Sequence, residues 1–284
     1  MSNNLLKGKK GIIFGALDEN SIAWKVAERC HSEGAEFVLT NAPIALRMGD
    51  IYRLSEKCNN AEVIPADVTS VKDIEKLIDK SLEIFEGKID FILHAVGMSP
   101  NVRKGLHYTE LNYDYFKKTL DVSAMSLHKI LAVAKKKDAI SEWGSVVTLS
   151  YIASERTYSS YSDMAQAKAM LESIVRSFGY HYGVARKVRI NAVSQSPTVT
   201  TAGQGVRGFN AFNKFAHCMS PLGNASADSC ADFCATLFSD YTKMITMQTI
   251  FHDGGYSSMG ISDTLINDCF NCGGNCNENH NSGK

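Results

Sequence analysis

Short apolar runs and helix-period patterns alternate along the chain. KKGIIFGA (9–16), AEFVLTN (35–41), AEVIPADV (61–68), IDFILHAVG (89–97), GSVVTLSY (144–151), VRINAVSQS (188–196) and TMQTIFHDGG (246–255) predict seven strands. They are nearly continuous apolar runs rather than strict alternations, the pattern of parallel strands covered on both faces. Between them, SIAWKVAERCHSEG (21–34) places Ile22, Ala23, Val26, Ala27 and Cys30 on one helical face, with Gly34 as a stop. SVKDIEKLIDKSLEIFEGK (70–88) spaces Ile74, Leu77, Ile78, Leu82 and Phe85 as a second amphipathic helix. A helical stretch follows Pro43, residues 112–137 predict one long helix, a further helix carries Tyr161 and Lys168 and runs on to about Gly183, and SADSCADFCATLFSD (226–240) predicts another; residues 197–225 read as irregular.

Strand–helix alternation over the whole length predicts a doubly wound, Rossmann-like α/β fold with a parallel sheet of about seven strands and helices on both faces. No linker, composition shift or internal repeat interrupts it before residue 256. The expectation is one domain over 1–258, a lid around 197–225 and a Cys/Asn/Gly-rich tail over 259–284. A chain of 284 residues with zero formal net charge argues against nucleic acid as the main partner. No apolar run approaches the ~20 residues of a membrane span, and the polar start lacks the apolar segment of a secretion signal. The reading is therefore a cytoplasmic protein with no membrane or nucleic-acid partner.

In open parallel sheets, ligands sit beyond the carboxyl ends of the strands. Gly15 follows the first strand and permits a tight turn; Asn20 or Ser21 is placed to cap the next helix, whose free N–H groups would hold a pyrophosphate. The full G-x-G-x-x-G pattern is absent. Thr40-Asn41-Ala42 ends the second strand with neither the acid that marks NAD nor an adjacent base that marks a 2′-phosphate, which favours NADH over NADPH. Asp67-Val68 ends the third, and Ala95-Val96-Gly97 the fourth, where small residues would let a cofactor lie against the backbone. At the fifth strand end stands Tyr151, followed by Tyr161 and Lys168. Seven residues are two helical turns, so the last pair shares a face, and a nearby ammonium is expected to lower the phenol's pKa. Eleven tyrosines make an accidental Tyr-x6-Lys match commonplace; its position after the fifth strand carries the argument.

These residues resemble the short-chain dehydrogenase/reductase signature. More narrowly, Leu149-Ser150-Tyr151 ten residues before Tyr161 resembles the bacterial NADH-dependent enoyl-acyl carrier protein reductases, as do Ser21-Ile22-Ala23-Trp24, Asp67-Val68, His94-Ala95-Val96-Gly97, Val188 to Ala192 and Asp253-Gly254-Gly255, in order, across residues 7 to 258. The resemblance implies reduction of the trans-2 double bond of an enoyl thioester carried on acyl carrier protein, in fatty acid elongation, by a homotetramer. It implies that Gly15, Ser21 and Ile22 cradle the pyrophosphate, with Ala42 also on the cofactor; that Asp67 and Val68 meet the adenine and Val96 and Gly97 flank the cofactor; that Lys168 holds the nicotinamide ribose; and that Thr198, Val199, Thr200, Thr201 and Ala202 lie over the nicotinamide and phosphates. Tyr161 would support the developing enolate oxygen, with Tyr151 and Ser99 beside the substrate. Val206, Phe209 and Phe212 are candidate acyl-channel residues, and Arg207 and Lys214 candidate contacts for an acidic carrier.

The pattern departs from that family at Phe14, at Gln195-Ser196-Pro197 in place of Ala-Gly-Pro, and at Met247 where glycine is common. Cys269, Cys272, Cys276 and His280 have a ligand-like spacing, but in an Asn/Gly-rich tail they read first as a flexible or packing segment, so no metal is assigned. Two alternatives stay open: a short-chain reductase of ketones or 3-ketoacyl substrates, disfavoured because Thr148 stands where such enzymes place a serine, and a non-catalytic NAD(P)-sensing protein, disfavoured by the presence of both Tyr161 and Lys168.

Overall fold

The computed structural model describes residues 3–271; of the tail's candidate ligands, Cys272, Cys276, His280 and the Cys269 side chain lie outside the described residues. Six strands, β1 (Lys10–Phe14), β2 (Glu36–Thr40), β3 (Ile89–His94), β4 (Ile140–Ser150), β5 (Arg189–Gln195) and β6 (Thr249–His252), form one sheet in the order β2-β1-β3-β4-β5-β6. Each neighbouring pair is parallel. The helices are α1 (Ile22–Ser32), α2 (Pro43–Met48), α3 (Ile51–Lys57), α4 (Val71–Phe85), α5 (Pro100–Arg103), α6 (Tyr113–Leu120), α7 (Ser126–Lys136), α8 (Met164–Arg186), α9 (Thr201–Gln204), α10 (Phe209–Met219), α11 (Ala227–Phe238) and α12 (Asp263–Asn271).

Successive strand side chains point to opposite faces, and the strands are apolar on both. Ile12, Phe14, Ile92, Val146 and Ile190 join one core with α4, α7 and α8. Ile13, Phe91, Leu93, Val147 and Val193 join the other with α1, α3 and α11. Two covered faces leave only the strand ends open, and the parallel arrangement puts every carboxyl end on one rim.

Three expectations are corrected. The segment 61–68 is not a seventh strand: it pairs with β2 through an isolated bridge, Leu39 to Val63, in which Leu39 donates to the carbonyl of Glu62 (2.8 Å) and accepts from Ile64 N–H (3.0 Å), with one further bond from Ala66 N–H to the carbonyl of Asn41 (3.0 Å). Residues 197–225 are not irregular; α9 and α10 lie within them. The long helix over 112–137 is broken by a π turn at Asp121–Met125, where Ser126 donates to the carbonyl of Val122 (2.6 Å) and Ser123 exchanges hydrogen bonds with Met98, accepting from its N–H at 2.9 Å and reaching its carbonyl at 3.2 Å. Such turns are commonest at functional sites.

At the far edge, the buried Arg189 on β5 donates to the carbonyls of Leu237 (2.9 Å), Thr242 (3.0 Å) and Ser239 (3.2 Å) and to Thr242 Oγ1 (2.8 Å). A guanidinium thereby answers the orphan carbonyls at the end of α11 and fixes that helix to the sheet. Among the described residues, no helix is long and apolar enough to cross a membrane, and no group of three or more His, Cys, Asp or Glu side chains is placed to hold a metal ion.

Candidate active site

The loops after β1, β2 and β3 lock together at the rim. Gly15 has φ of 95°, and a Cβ there would stand 2.1 Å from the carbonyl oxygen of Ala95; only glycine permits this contact between the two strand ends. Asn41 donates to the carbonyl of Ala16 (2.9 Å) and accepts from the N–H of Ala42 (2.9 Å), closing the second loop onto the first. Ser21 Oγ accepts from Leu17 N–H (3.3 Å) and donates to the carbonyl of Asp18 (2.8 Å), shaping the turn before Ile22 opens α1. Asp67 is exposed and accepts from Thr69 N–H (2.8 Å) and Oγ1 (2.7 Å); Val68 beside it is buried. Thr201 at the start of α9 donates to Asp18 (2.6 Å), which carries the 198–202 stretch across to the glycine turn. Thr198 and Thr200 are held within that stretch, through Ser196 O (3.0 Å) and Gly203 N–H (2.9 Å) respectively, while Val199 is exposed.

At the β4 end, α8 delivers Lys168 into an enclosed space. The side chain is 8% exposed, and its ammonium donates to the carbonyl of Leu149 (2.7 Å). A Cβ placed on Gly97 would meet Met164 Cε at 3.7 Å and Lys168 Nζ and Ser123 Oγ at 4.0 Å each, so Gly97 leaves room directly beside the ammonium. Burial lowers the Lys168 pKa from 10.5 to about 8, against the attraction of the buried Glu172 one turn on. Glu172 in turn accepts from Ser150 Oγ. His94, also buried, has Nδ1 2.8 Å from Thr148 Oγ1 and Nε2 2.8 Å from Ser126 Oγ. Burial and then Lys168 depress its pKa to about 3, so it is a neutral, hydrogen-bonded support beneath the site.

Tyr151 stacks at a tilt between two phenols, with ring centroids 5.1 Å from Tyr161 and 5.2 Å from Tyr158. The Tyr158 hydroxyl donates to Tyr256 (2.8 Å), and the Tyr151 hydroxyl is enclosed beside that of Tyr158. From Tyr158 the aromatic row continues to Phe212 (6.3 Å) and Phe209 (5.0 Å further) on α10. The expectation that a cation would lower the Tyr161 pKa is overturned: burial raises it, as it does for Tyr151 and Tyr158. These are neutral phenols, fit to donate hydrogen bonds rather than to act as phenolates.

The model of the family described as enoyl-(acyl carrier protein) reductase matches residues 15–257. This chain belongs to that family. It is 33% identical over 257 residues to the NADH enoyl-[acyl-carrier-protein] reductase 2 of Rhizobium meliloti, covering 90% of this chain and 94% of that protein. Among solved structures, it resembles the FabI–NADH complex of Alistipes finegoldii at 65% identity and a TM-score of 0.91, over 92% of each chain. The Aquifex aeolicus enoyl-[acyl-carrier-protein] reductase (NADH) superposes with a TM-score of 0.83 at 31% identity, over 90% of this chain and 99% of that one.

The reductase fold thus gathers Gly15, Ser21, Ile22, Ala42, Val68, Val96, Gly97 and the 198–201 stretch along one rim, with Tyr151, Tyr161 and Lys168 at its centre. Ser99 is 3% exposed; its hydroxyl accepts from Val102 N–H (3.0 Å) and donates to Asp163 (2.6 Å), so it is engaged within the protein. Reading the residues one by one missed Asp163, Asn101 and Thr119, which meet Ser99 in a buried network. The signal available was Asp163 itself, an acid inside the Tyr161-to-Lys168 interval. A cleft of about 320 Å³ opens between α5 and the α9–α10 connection, with Arg103, Lys104, Gln204, Val206 and Arg207 in its lining.

The depressed Lys168 pKa sets a pH dependence. Below pH 8 the group is charged in the folded and unfolded states alike, and burying it costs stability. Between about 8 and 10.5 the folded state releases the proton first, so the unfolded state binds more protons and stability rises with pH. Urea denaturation across that window is expected to show wild type gaining on Lys168→Met as pH increases; parallel pH profiles for the two proteins would contradict it.

Proposed function

We propose that the chain reduces the trans-2 double bond of an enoyl thioester carried on acyl carrier protein, using NADH, in the cytoplasm, as a step of fatty acid elongation. The observation that carries this reading is the pair of neutral, enclosed phenols, Tyr151 and Tyr161 at 5.1 Å, standing at the strand end where Lys168 and Gly97 meet.

The residues present fit a dinucleotide. The Lys168 ammonium has three donors, of which one is spent on Leu149 O, leaving two for ribose hydroxyls beside the open face of Gly97. The turn from Gly15 to Ile22 offers backbone N–H groups at the start of an eleven-residue helix, suited to a pyrophosphate. Bound there, NADH supplies the hydride delivered to the β-carbon of the substrate. Tyr161 donates a hydrogen bond to the thioester oxygen as it gains enolate charge, in a site dry enough for that bond to count, and the enolate then takes a proton at its α-carbon to give the saturated thioester. Tyr151 packs against the Tyr161 ring and sets its tilt. Val206, Phe209 and Phe212, continuing the aromatic row, line the acyl channel, and residues 197–225 act as the lid of a reductase domain spanning 1–258. On the expected route, Tyr161→Phe lowers kcat by roughly 10²- to 10³-fold, with NADH binding retained, in an NADH-oxidation assay with an enoyl thioester. Oxidation only with a 3-ketoacyl thioester would instead favour the ketone-reducing alternative.

The cleft between α5 and the lid carries Arg103, Lys104 and Arg207, with exposed Lys214 further along α10, and suits an acidic carrier steered by charge. Reversing Arg103 and Arg207 together to glutamate should raise KM severalfold for a carrier-borne substrate and leave a short, carrier-free enoyl thioester unaffected. Equal KM values with and without the carrier would remove the docking role.

Tyr180 and Val184 on α8, Met244 and Ile245 ahead of β6, and Phe251 on β6 are exposed to solvent. Apolar exposure of that kind supports assembly of copies into a homotetramer. Light scattering is expected to report four chains for wild type and fewer for Val184→Glu; a wild-type monomer would overturn the assembly.

A further inference from the structure

The turn that carries Tyr161 into α8 is strained. Ser162 has φ of 49°, in the left-handed region where a side chain is disfavoured, and its buried hydroxyl has no partner. A residue of this kind is strained and persists only where its surroundings over-determine it.

The next residue supplies the restraint. Asp163 occupies the N-cap position of α8, where an aspartate ordinarily accepts from its own helix, yet it makes no capping bond. Its carboxylate is 0% exposed and turns outward from the helix to three side chains. Oδ1 accepts from Ser99 Oγ (2.6 Å); Oδ2 accepts from Asn101 Nδ2 (2.7 Å) and from Thr119 Oγ1 (2.8 Å). Each donor anchors a different piece of chain. Ser99 caps α5 through Val102 N–H. Asn101 also grips Asn112, donating to its carbonyl (3.1 Å) and accepting from its N–H (3.2 Å). Asn112 in turn caps α6 through the N–H groups of Asp114 and Tyr115. Thr119 belongs to α6 itself.

Two residues before Ser99 is Gly97, facing Lys168, and the intervening Met98 is tied to Ser123 at the π turn. The same pin therefore acts on both walls of the site: the Tyr161 turn on one side, the Gly97–Ser99 segment on the other. Burying a carboxylate is costly before its hydrogen bonds are formed, and a well-packed apolar residue would hold a helix start without that cost. An acid here is explained by the geometry it imposes.

We propose that Asp163 is a positioning residue that holds the Tyr161 turn and the Gly97–Asn112 segment in the single arrangement competent for hydride acceptance by the substrate. The role rests on Tyr161 being the hydrogen-bond donor of the proposed reaction. Asp163 acts mechanically, through the three segments it joins, and touches neither cofactor nor substrate.

The test compares Asp163→Val with Asp163→Asn in the full-length protein. Asparagine preserves the network: its oxygen can accept from Asn101 and Thr119 while its amide donates to Ser99 Oγ. Valine removes the shared acceptor: Ser99 Oγ loses its acceptor, Asn101 keeps only the carbonyl of Asn112 (3.1 Å) and Thr119 only that of Tyr115 (2.9 Å). The expected result for Asp163→Val is a kcat lower by roughly 10- to 100-fold, NADH affinity retained, and faster amide hydrogen exchange confined to residues 98–112 and 155–163; Asp163→Asn recovers most of the rate and the protection. Should Asp163→Val fail to fold, Thr119→Val removes one donor and should give a smaller loss of kcat with the same local exchange pattern. Wild-type kcat in folded Asp163→Val, equal losses in the Asn and Val variants, or exchange that accelerates throughout the sheet would each overturn the proposal. Tyr161→Phe run alongside separates the two ideas: full turnover in that variant sinks the reading of Tyr161, whereas an inactive Tyr161→Phe beside a fully active Asp163→Val sinks the pin alone.

Discussion

An ammonium held out of water organises this molecule's working end. α8 packs along the sheet and brings Lys168 to the carboxyl end of β4, where one backbone carbonyl is its hydrogen-bond partner. Desolvation makes that charge expensive, and the surroundings share the cost: Glu172 lies one turn further along the helix, and Gly97 keeps the space beside the ammonium open. The same exclusion of water keeps Tyr151 and Tyr161 protonated and His94 neutral. The lysine is thus surrounded by neutral hydrogen-bonding groups, with the Glu172 carboxylate one turn behind it.

The layered architecture was legible because it depends on periodicity. Continuous apolar strands and amphipathic helices such as 71–85 identify themselves locally, and the parallel topology then places every strand end on one rim. Strand ends made Gly15, Val96, Gly97 and Tyr151 candidates before any contact was known. What could not be read was anything dependent on meeting a distant residue. Asp163 finds Ser99, Asn101 and Thr119 from 44 to 64 positions away, and no local spacing marks those partners. The phenol's ionisation also escaped prediction: Tyr161 lies in the turn before α8 rather than on a helical face shared with Lys168, and spacing says nothing about how completely water is excluded.

The departures from the family pattern prove to be connected. Gln195 donates to Thr198 Oγ1 (3.1 Å) and Ala225 O (3.0 Å), and its Oε1 accepts from His252 Nδ1 (2.7 Å). Ser196 accepts from Ala225 N–H (3.0 Å). Together they bind the base of the lid to β6, contacts that alanine and glycine could not make. Phe14 fills the core beneath the glycine turn. Met247 adopts φ of 63°, the region that favours glycine, and its side chain sits over Gly179, where a Cβ would come within 2.5 Å of Met247 Cγ. One residue without a side chain thus accommodates another that carries one in an unfavourable conformation.

The π turn at Asp121–Met125 amounts to a single surplus residue wound into an otherwise regular rod. Each helical residue advances the side-chain direction by about 100°, so the surplus decouples two angular settings. α7 keeps the phase that buries Leu127, Ile130 and Leu131 against the sheet, while α6, on the other side of the turn, is free to aim Thr119 at Asp163. Excising one residue from 121–125 would leave a smoother helix and the same composition, but the two halves would again have to share one phase. The chain would then face a choice between its core and its catalytic wall, and the irregular turn is what spares it that choice.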